Sequence, residues 1–328
     1  MKKFDVVSIG SALKDIFILN KDMSCGGTKV CHPFNPEVWG DKIKIKKMYF
    51  DIGGGGTNTA ATFGNLGLKT ALLARVGNDL TGKEIIETMK RFRVNTNLIT
   101  IGKKEETGYS VIFLDKNGER TALVFRGASD FSDFSPKNTT ELRGVWFFVT
   151  SLNANIKLLD KIFTVARKHK TKIAWNPGNA ELDLSKSKLK YFLQNTDVLF
   201  LNLNEAKKLT VEKNKNLKNI FYRLAELSPK AVMVVTDGKN GAWAKNGTAI
   251  VWADILDKKM VNATGAGDAF GSGFVSGLIL YQGDIKKSLQ LAMLNSNSVV
   301  TQMGAKHGIL KKPPTTKELG KIKIKSVV

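Results

Sequence analysis

The sequence has few of the residues that build disulfide frameworks and metal clusters. It contains two cysteines, Cys25 and Cys31, and three histidines in 328 residues. Two thiols and the neighbouring His32 do not complete a four-ligand zinc site; reduced, unpaired thiols are the favoured interpretation, with a local disulfide or a metal contact as alternatives. No apolar run approaches the ~20 residues of a membrane span, and residues 1–5 lead into a strand-like stretch rather than a signal sequence. We therefore expect a cytoplasmic protein with no membrane partner.

Acidic residues are also scarce, with 29 Asp and Glu against 51 Lys and Arg, so the formal net charge is +22. In isolation, such an excess indicates a nucleic-acid partner. The lysines, however, are dispersed from residues 42–47 to 186–188 and 321–325, and none is interleaved with an aromatic stacking platform. We interpret them as a lysine-rich surface that attracts anionic substrates, and we do not expect a nucleic-acid partner.

Apolar residues make up 42% of the chain, enough to fill one large core. The predicted strands are Phe4–Ile9, Thr70–Val76, Val145–Val149, Lys172–Trp175, Val198–Leu201 and Ala231–Thr236. The predicted helices include Ile85–Phe92, Ile156–Arg167 and Ile285–Val300. Because strands and helices alternate, we predict an α/β fold with a mostly parallel sheet and helices on both faces, in a single domain over residues 1–328.

A turn of very small residues, Thr264-Gly265-Ala266-Gly267, ends in Asp268 and precedes apolar residues at helical spacing. This pattern predicts that Gly265 to Asp268 form a helix N-terminus, where free N–H groups and the helix dipole favour an anion. The amides can stabilise a phosphoryl group in transfer, and Asp268 can accept a proton from an attacking hydroxyl. The alternative is an aspartate that caps an ordinary core helix.

A second glycine cluster, Gly53 to Gly56 followed by Thr57 and Asn58, also lies between a strand-like and a helix-like stretch. Glycines let a ligand approach the main chain, and the Asn58 amide can donate to and accept from a hydroxyl. Neither cluster is a phosphate-binding Gly-Lys-Ser/Thr loop, and neither has the spacing of a dinucleotide site. The alternative for this cluster is a flexible turn.

Taken together, these motifs resemble the ribokinase-like, or PfkB, family of carbohydrate and nucleoside kinases over nearly the whole chain. The matching elements, in the family's order, are Gly53-Gly54-x-Gly56-x-Asn58 with Gly77-Asn78-Asp79-x-x-Gly82, Asn202-x-x-Glu205, Thr236-x-Gly238-x-x-Gly241, and Thr264-Gly265-Ala266-Gly267-Asp268. The resemblance implies a three-layer αβα kinase fold.

The resemblance implies a role for each matching residue. Asp268 would be the catalytic base, and the amides of Gly265, Ala266 and Gly267 would form the anion hole. On the acceptor side, Asp15 would bind two sugar hydroxyls and Gly54, Gly55 and Asn58 would line the pocket; the alternative for Asp15 is a solvated loop acid.

On the nucleotide side, the resemblance implies ATP and magnesium. Asn202, Thr236, Gly238, Gly241 and Thr264 would bind the nucleotide, and Glu205 with Asn202 would bear on the magnesium and its waters. For Asn202 and Glu205 the alternative is a plain helix start, with Asn202 as the cap and Glu205 in the first turn.

Three positions qualify the resemblance. Members that use a monovalent cation commonly carry an acid two residues before the Thr-Gly-Ala-Gly-Asp turn, whereas this chain has Asn262, so potassium activation is doubtful. Gly55 stands where ribokinase-type enzymes often have lysine, so sugar recognition can differ. Arg126 ends an apolar run and is a candidate for substrate binding, with a surface position as the favoured alternative.

Two segments, about residues 12–51 and 100–128, break the α/β rhythm. Within the second, Tyr109–Leu114 and Thr121–Phe125 flank Asp115-Lys116-Asn117-Gly118 in a hairpin pattern. We expect the two segments to form a small β lid over the sugar site. In the family such a lid closes on substrate and often forms a dimer contact, so a homodimer through the lid is expected here.

We therefore predict an ATP-dependent kinase that acts on a hydroxyl of a sugar or sugar derivative. The first alternative is a nucleoside kinase of the same family, for which Phe17, Trp39 and Phe125 are candidates for a purine slot. The remote alternative is a non-catalytic nucleic-acid-binding protein, which the intact Gly-Ala-Gly-Asp turn argues against.

Overall fold

A computed structural model describes residues 4–19, 42, 45–114, 120–131 and 142–327 of the chain. Cys25, Cys31, His32 and Trp39 lie outside the described residues, as does the predicted hairpin turn at Asp115 to Gly118.

The described residues form fifteen strands and ten α-helices. The strands are β1 Phe4–Ile9, β2 Leu13–Leu19, β3 Lys47–Gly53, β4 Thr70–Gly77, β5 Val94–Asn95, β6 Ile99–Gly102, β7 Gly108–Leu114, β8 Arg120–Phe125, β9 Gly144–Val149, β10 Lys172–Trp175, β11 Val198–Asn202, β12 Val232–Thr236, β13 Ala242–Asn246, β14 Ala249–Ala253 and β15 Ile324–Ser326. The helices are α1 Gly55–Asn65, α2 Leu80–Arg91, α3 Ile156–His169, α4 Asn179–Leu182, α5 Lys186–Gln194, α6 Leu203–Thr210, α7 Leu217–Leu227, α8 Ala266–Leu280, α9 Ile285–Val299 and α10 Thr316–Leu319. Two 3₁₀ turns lie at Gly127–Asp130 and Gly238–Asn240.

The main sheet has the strand order β15-β14-β13-β12-β11-β10-β9-β1-β4-β5, with β6 also paired to β4. The strands β12, β11, β10, β9, β1, β4 and β5 run parallel to one another. Strands β13, β14 and β15 are antiparallel additions at one edge. Adjacent residues of β1 pack into different cores. Val7 lies in the core with α3, α5 and α7, and Val6 lies in the core with α8 and α9. This burial on both faces explains the continuous apolar run of β1, and it confirms the predicted α/β architecture.

A second, four-stranded sheet has the order β3-β2-β7-β8. Its strands derive from the two segments that interrupt the α/β rhythm in the sequence. In β2 and β3, Asp15 pairs with Asp51 and Phe17 pairs with Tyr49, so these four side chains share one face. The opposite face carries Phe50 and Leu123. The closure of this sheet as a lid stays a prediction.

No helix within the described ranges is both long enough and apolar enough to cross a membrane.

Candidate active site

The turn at Gly265 begins helix α8, as the sequence predicts. Gly265 is the N-cap with φ 78°, a left-handed conformation, and Asp268 lies in the first turn. No side chain caps this helix among the described residues. The amides at its start are therefore not satisfied by a cap, which is the arrangement that favours an anion at a helix N-terminus.

The space around this turn differs between its two glycines. A β-carbon at Gly265 would lie 2.4 Å from Cβ of Ala305, whereas one at Gly267 would have no described atom within 4 Å. Beside the turn, the buried Oγ1 of Thr264 has no hydrogen-bond partner among the described residues. The helix start is thus closely packed behind Gly265 and open in front of Gly267.

The glycine cluster from Gly53 to Gly56 is held in place by hydrogen bonds. Gly54, with φ 98°, is the N-cap of α1. Gly55 donates its N–H to Oγ of Ser11 at 3.1 Å, and Gly56 donates to the carbonyl oxygen of Ser11 at 3.0 Å. A β-carbon at Gly55 would lie 2.8 Å from Oγ1 of Thr150. This turn is therefore a packed helix start and not the flexible turn that the sequence left open.

Asn58 connects the two glycine motifs. Its Nδ2 donates to Oδ2 of Asp268 at 2.8 Å, across 210 residues of sequence. Asn58 is buried in α1 and Asp268 is half-buried in α8. The two elements that the resemblance assigned to acceptor binding and to phosphoryl transfer thus lie in direct contact.

Lys306 completes this contact and was missed by the sequence analysis. Its Nζ donates to Oδ1 of Asn58 and to the carbonyl oxygen of Ile52, and its side chain is buried. Burial lowers the pKa of the Lys306 ammonium, while the negative charges of Asp51, Asp15 and Asp268 act in the opposite direction. No motif marks Lys306 in the sequence, where it follows Gly304 and Ala305 beyond the last matching motif, which ends at Asp268.

Asp15 lies within strand β2 and is 4% exposed. The alternative of a solvated loop acid is therefore wrong. A β-carbon at Gly53 would lie 2.3 Å from the Asp15 carboxylate, so the absence of a side chain at position 53 makes room for this acid. Its pairing with Asp51 places two carboxylates side by side on the sheet face.

Asn202 and Glu205 form a reciprocal capping box at the start of α6. Oδ1 of Asn202 accepts from the Glu205 N–H at 2.9 Å, and Oε2 of Glu205 accepts from the Asn202 N–H at 2.8 Å. The pKa of Glu205 is raised, because the effect of burial outweighs that of the hydrogen bonds with Asn202, which lower the pKa. The helix-start alternative is therefore realised, and the capping leaves the magnesium role as a prediction.

The other candidates on the nucleotide side lie near Asn202. Asn202 is in register with Thr236 on the adjacent parallel strand, so both lie at the carboxyl edge of the main sheet. Gly238 and Gly241 follow with φ 49° and 85° in the turn before β13. Ligands of open α/β sheets bind along this edge.

Asn262 and Arg126 have different surroundings from each other in the structure. Asn262 is buried, and its Oδ1 accepts from the Thr264 N–H at 2.9 Å, so it supports the turn before α8. Its Nδ2 contacts Sδ of Met303 at 3.7 Å. Arg126 follows β8 and is half-buried, and its guanidinium has no ion pair or hydrogen bond among the described residues.

A cavity of about 260 Å³ lies between the second sheet and the segment after α9. Its walls include Phe17, Tyr49, Asp51, Met303 and His307. Oδ2 of Asp51 is buried there without a hydrogen-bond partner among the described residues, 3.8 Å from Nε2 of His307. The cavity therefore combines aromatic walls with one unsatisfied acceptor.

Residues 20–312 match the profile described as pfkB family carbohydrate kinase. The chain belongs to the pfkB carbohydrate kinase family. It is accordingly a phosphotransferase with a hydroxyl acceptor, related to the sugar and nucleoside kinases of the ribokinase group.

Individual relatives cover most of the chain. A nucleoside kinase of Methanocaldococcus jannaschii is 26% identical over 80% of this chain and 84% of its own. A ribokinase of Schizosaccharomyces pombe is 27% identical over 86% of this chain and 90% of its own. The structure of Arabidopsis thaliana ribokinase complexed with ribose and ATP superimposes with a TM-score of 0.79, at 21% identity, over 96% of this chain and 97% of that one. The last likeness shows that the pfkB chain has the ribokinase fold.

Proposed function

We propose that this pfkB kinase transfers the γ-phosphoryl group of ATP to a hydroxyl of a neutral sugar or sugar derivative. The observation that carries the proposal is the contact between Asn58 and Asp268 at the uncapped start of α8. It joins a carboxylate, a group that binds hydroxyls and a helix start without a side-chain cap at one point, and these are the parts that phosphoryl transfer to an alcohol requires.

In the proposed reaction, Asp268 accepts the proton of the attacking hydroxyl. The amides of Gly265, Ala266 and Gly267 stabilise the negative charge on the moving phosphoryl group, and the open space before Gly267 admits it. Asp15 orients the acceptor, because each of its carboxylate oxygens can accept a hydrogen bond from one hydroxyl of a diol.

The charges around the site support a neutral acceptor. Asp15, Asp51 and Asp268 all bear electrostatically on the buried ammonium of Lys306. Among these four groups the negative charges outnumber the positive one, and an acceptor that already carries a phosphate or carboxylate would be repelled by the carboxylates. A polyhydroxylated compound without charge fits this surrounding better.

The proposed nucleotide site lies along the carboxyl edge of the main sheet, at Asn202, Thr236, Gly238 and Gly241, with Thr264 beside the phosphates. The unpartnered Oγ1 of Thr264 is suited to a phosphate oxygen. Glu205 fits magnesium, which retains most of its waters and binds few carboxylates. Bound there, magnesium would neutralise phosphate charge.

A second candidate, a nucleoside kinase, is favoured by the cavity at Phe17 and Tyr49. These residues lie two positions along their strands from Asp15 and Asp51 on the same sheet face, roughly 7 Å away. A ribose bound at Asp15 could therefore extend a base between aromatic walls, with Asp51 accepting from an amino group. Phe125 is 54% exposed on the opposite face of the sheet and does not line this cavity.

The test is magnesium-dependent release of ADP from ATP with ribose, fructose, phosphosugars, 2-keto-3-deoxygluconate, adenosine, cytidine, inosine and guanosine. We expect turnover with one neutral acceptor and its loss in Asp268→Asn, which removes the base while keeping the size of the side chain. Equal turnover in Asp268→Asn would contradict the mechanism, and turnover with a phosphosugar would contradict the neutral acceptor. No turnover together with salt-sensitive RNA binding would favour the non-catalytic alternative.

A further inference from the structure

Lys306 has no part in the proposed reaction as described so far, yet it is one of the most confined groups in the site. It is 4% exposed, although lysine side chains are rarely buried without partners. Its two hydrogen-bond acceptors belong to the segment from Ile52 to Asn58, which contains the glycine cluster from Gly53 to Gly56. A buried ammonium in this position calls for a functional or structural account.

The residues around Lys306 are packed between the two glycine motifs. A β-carbon at Gly304 would lie 2.2 Å from Oδ2 of Asp51, and Ala305 lies against Gly265. Lys306 then points to Asn58, which contacts Asp268. The segment 304–306 therefore touches the acceptor side and the phosphoryl-transfer side of the site in three consecutive residues.

We propose that Lys306 is a positioning residue for phosphoryl transfer, which orients the Asn58 amide toward Asp268 and places a positive charge beside the surrounding carboxylates. The inference rests on the proposed function of Asp268. It adds to the site a residue from outside the motifs that match the family.

The orientation follows from hydrogen-bond chemistry. An ammonium has three donors and no acceptor, so it can contact only the oxygen of a side-chain amide. With Oδ1 of Asn58 facing Lys306, Nδ2 faces Asp268, whose Oδ2 accepts from it. If the amide were reversed, Nδ2 of Asn58 would face the Lys306 ammonium and Oδ1 would face the Asp268 carboxylate, so neither hydrogen bond could form. Lys306 therefore selects the productive orientation.

The charge of Lys306 acts on groups from three other elements. Asp15 on β2, Asp51 on β3 and Asp268 on α8 bear on the ammonium, and His307, next in the chain, lies 3.8 Å from Asp51. A base must be ionised before it can accept a proton, and a neighbouring cation favours the ionised carboxylate.

Two substitutions separate these effects. Lys306→Met removes both the donor and the charge, and Lys306→Gln removes the charge but leaves an amide that can donate to Asn58. The matched control is Lys312→Met, which removes the same charge from an exposed position nearby. For each folded variant, kcat and KM for the acceptor are measured between acidic and alkaline pH with the substrate identified for the wild-type enzyme.

We expect Lys306→Met to lower kcat on the order of 10²-fold, since a displaced base costs about that much. The acid limb of its kcat/KM profile should move to higher pH. Lys306→Gln should recover part of kcat but keep the displaced acid limb, and Lys312→Met should match the wild type.

An unchanged acid limb in Lys306→Gln would overturn the proposal, and so would losses in Lys306→Met that follow its folded fraction alone. Because Gln keeps a polar partner for Asn58 and Ile52, it tests the charge even if the Met variant does not fold. Absence of turnover in the wild type would instead refute the proposed kinase function.

Discussion

Gly265 and Ala305 approach each other so closely that a β-carbon on Gly265 would lie 2.4 Å from that of Ala305. Position 265 also has φ 78°, a region that side chains other than glycine rarely adopt. The start of α8 therefore depends on glycine for both backbone conformation and packing against the segment that carries Lys306.

This relationship predicts different results for two Gly→Ala substitutions. Gly265→Ala should destabilise the protein by at least about 1–2 kcal/mol, the cost of a left-handed non-glycine residue, because the contact with Ala305 adds to it. Gly267→Ala, with no described atom near its new β-carbon, should leave stability unchanged or slightly increased while lowering kcat/KM for ATP. Urea denaturation and steady-state kinetics check both; equal stability of the two variants would contradict the packing argument.

The Gly77-Asn78-Asp79-x-x-Gly82 motif has a structural explanation. Asp79 is the N-cap of α2 and accepts from the N–H of Gly82 and from the N–H and Oγ1 of Thr107. Burial opposes its ionisation, but the hydrogen bonds from Thr107 and Gly82 prevail, so the pKa of Asp79 is lowered. Asp79 thus ties α2 to the segment that begins β7.

We expect Asp79→Ala to cost about 1–2 kcal/mol of unfolding free energy at neutral pH, as for other lost caps. Because the folded-state pKa is lowered, the stabilisation is complete above the unfolded-state pKa of about 3.9 and is lost as pH falls through the folded-state value. The difference between wild type and variant should therefore shrink on acidification. A difference that grows toward low pH in urea titrations would contradict this assignment.

Glu205→Gln separates capping from metal binding. The amide oxygen of Gln can still accept from the Asn202 N–H, so thermal stability should be nearly unchanged. Loss of the charge should raise the magnesium concentration needed for half-maximal rate on the order of 10-fold, as for other residues behind a metal's waters. Glu226→Gln on the exposed side of α7 is the control. An unchanged magnesium requirement would assign Glu205 to the helix cap alone.

Asn262 leads to a prediction about monovalent cations. It occupies the position of the expected acid, is neutral, and already supports the turn through the Thr264 N–H. Replacement of potassium by sodium at constant ionic strength should therefore leave kcat unchanged. A marked activation by potassium would show that other groups supply the cation site.

The outer face of the second sheet is the proposed dimer contact. Phe50 and Leu123 are 56% and 46% exposed on this face, which is opposite to the face with Asp15 and Asp51, and exposed apolar surface of this kind marks interaction sites. Phe50→Asp should convert a dimer into a monomer in sedimentation velocity experiments, and Tyr222→Asp, at an exposed aromatic residue of α7, should not. A wild-type monomer at all concentrations would refute the contact.

The parts of the fold that could be predicted from sequence are those determined by local patterns. The apolar run of β1 and the small residues before α8 are defined by near neighbours, so their elements were predicted. Strand β2 was missed because Lys14 and the buried Asp15 interrupt its apolar pattern. The hairpin of β13 and β14 was missed although Asn246-Gly247, where β13 ends, is a turn signal.

In the candidate site, too, the residues that could be predicted are those in local motifs. Asp268 and Asn58 stand in recognisable motifs, whereas Lys306 resembles any surface lysine in a lysine-rich sequence. Its burial is offset by the charges of acids on β2, β3 and α8 that are distant in sequence. A single sequence does not contain that information, because lysine alone favours an exposed position.

The contact between Lys306 and Asn58 joins residues 248 positions apart. During synthesis, the ribosome releases both glycine motifs before it releases Lys306. A nascent chain that has folded around β1, α1 and α8 therefore still has an incomplete site. Catalytic competence should appear late in translation, after the segment 304–306 has entered between the two motifs.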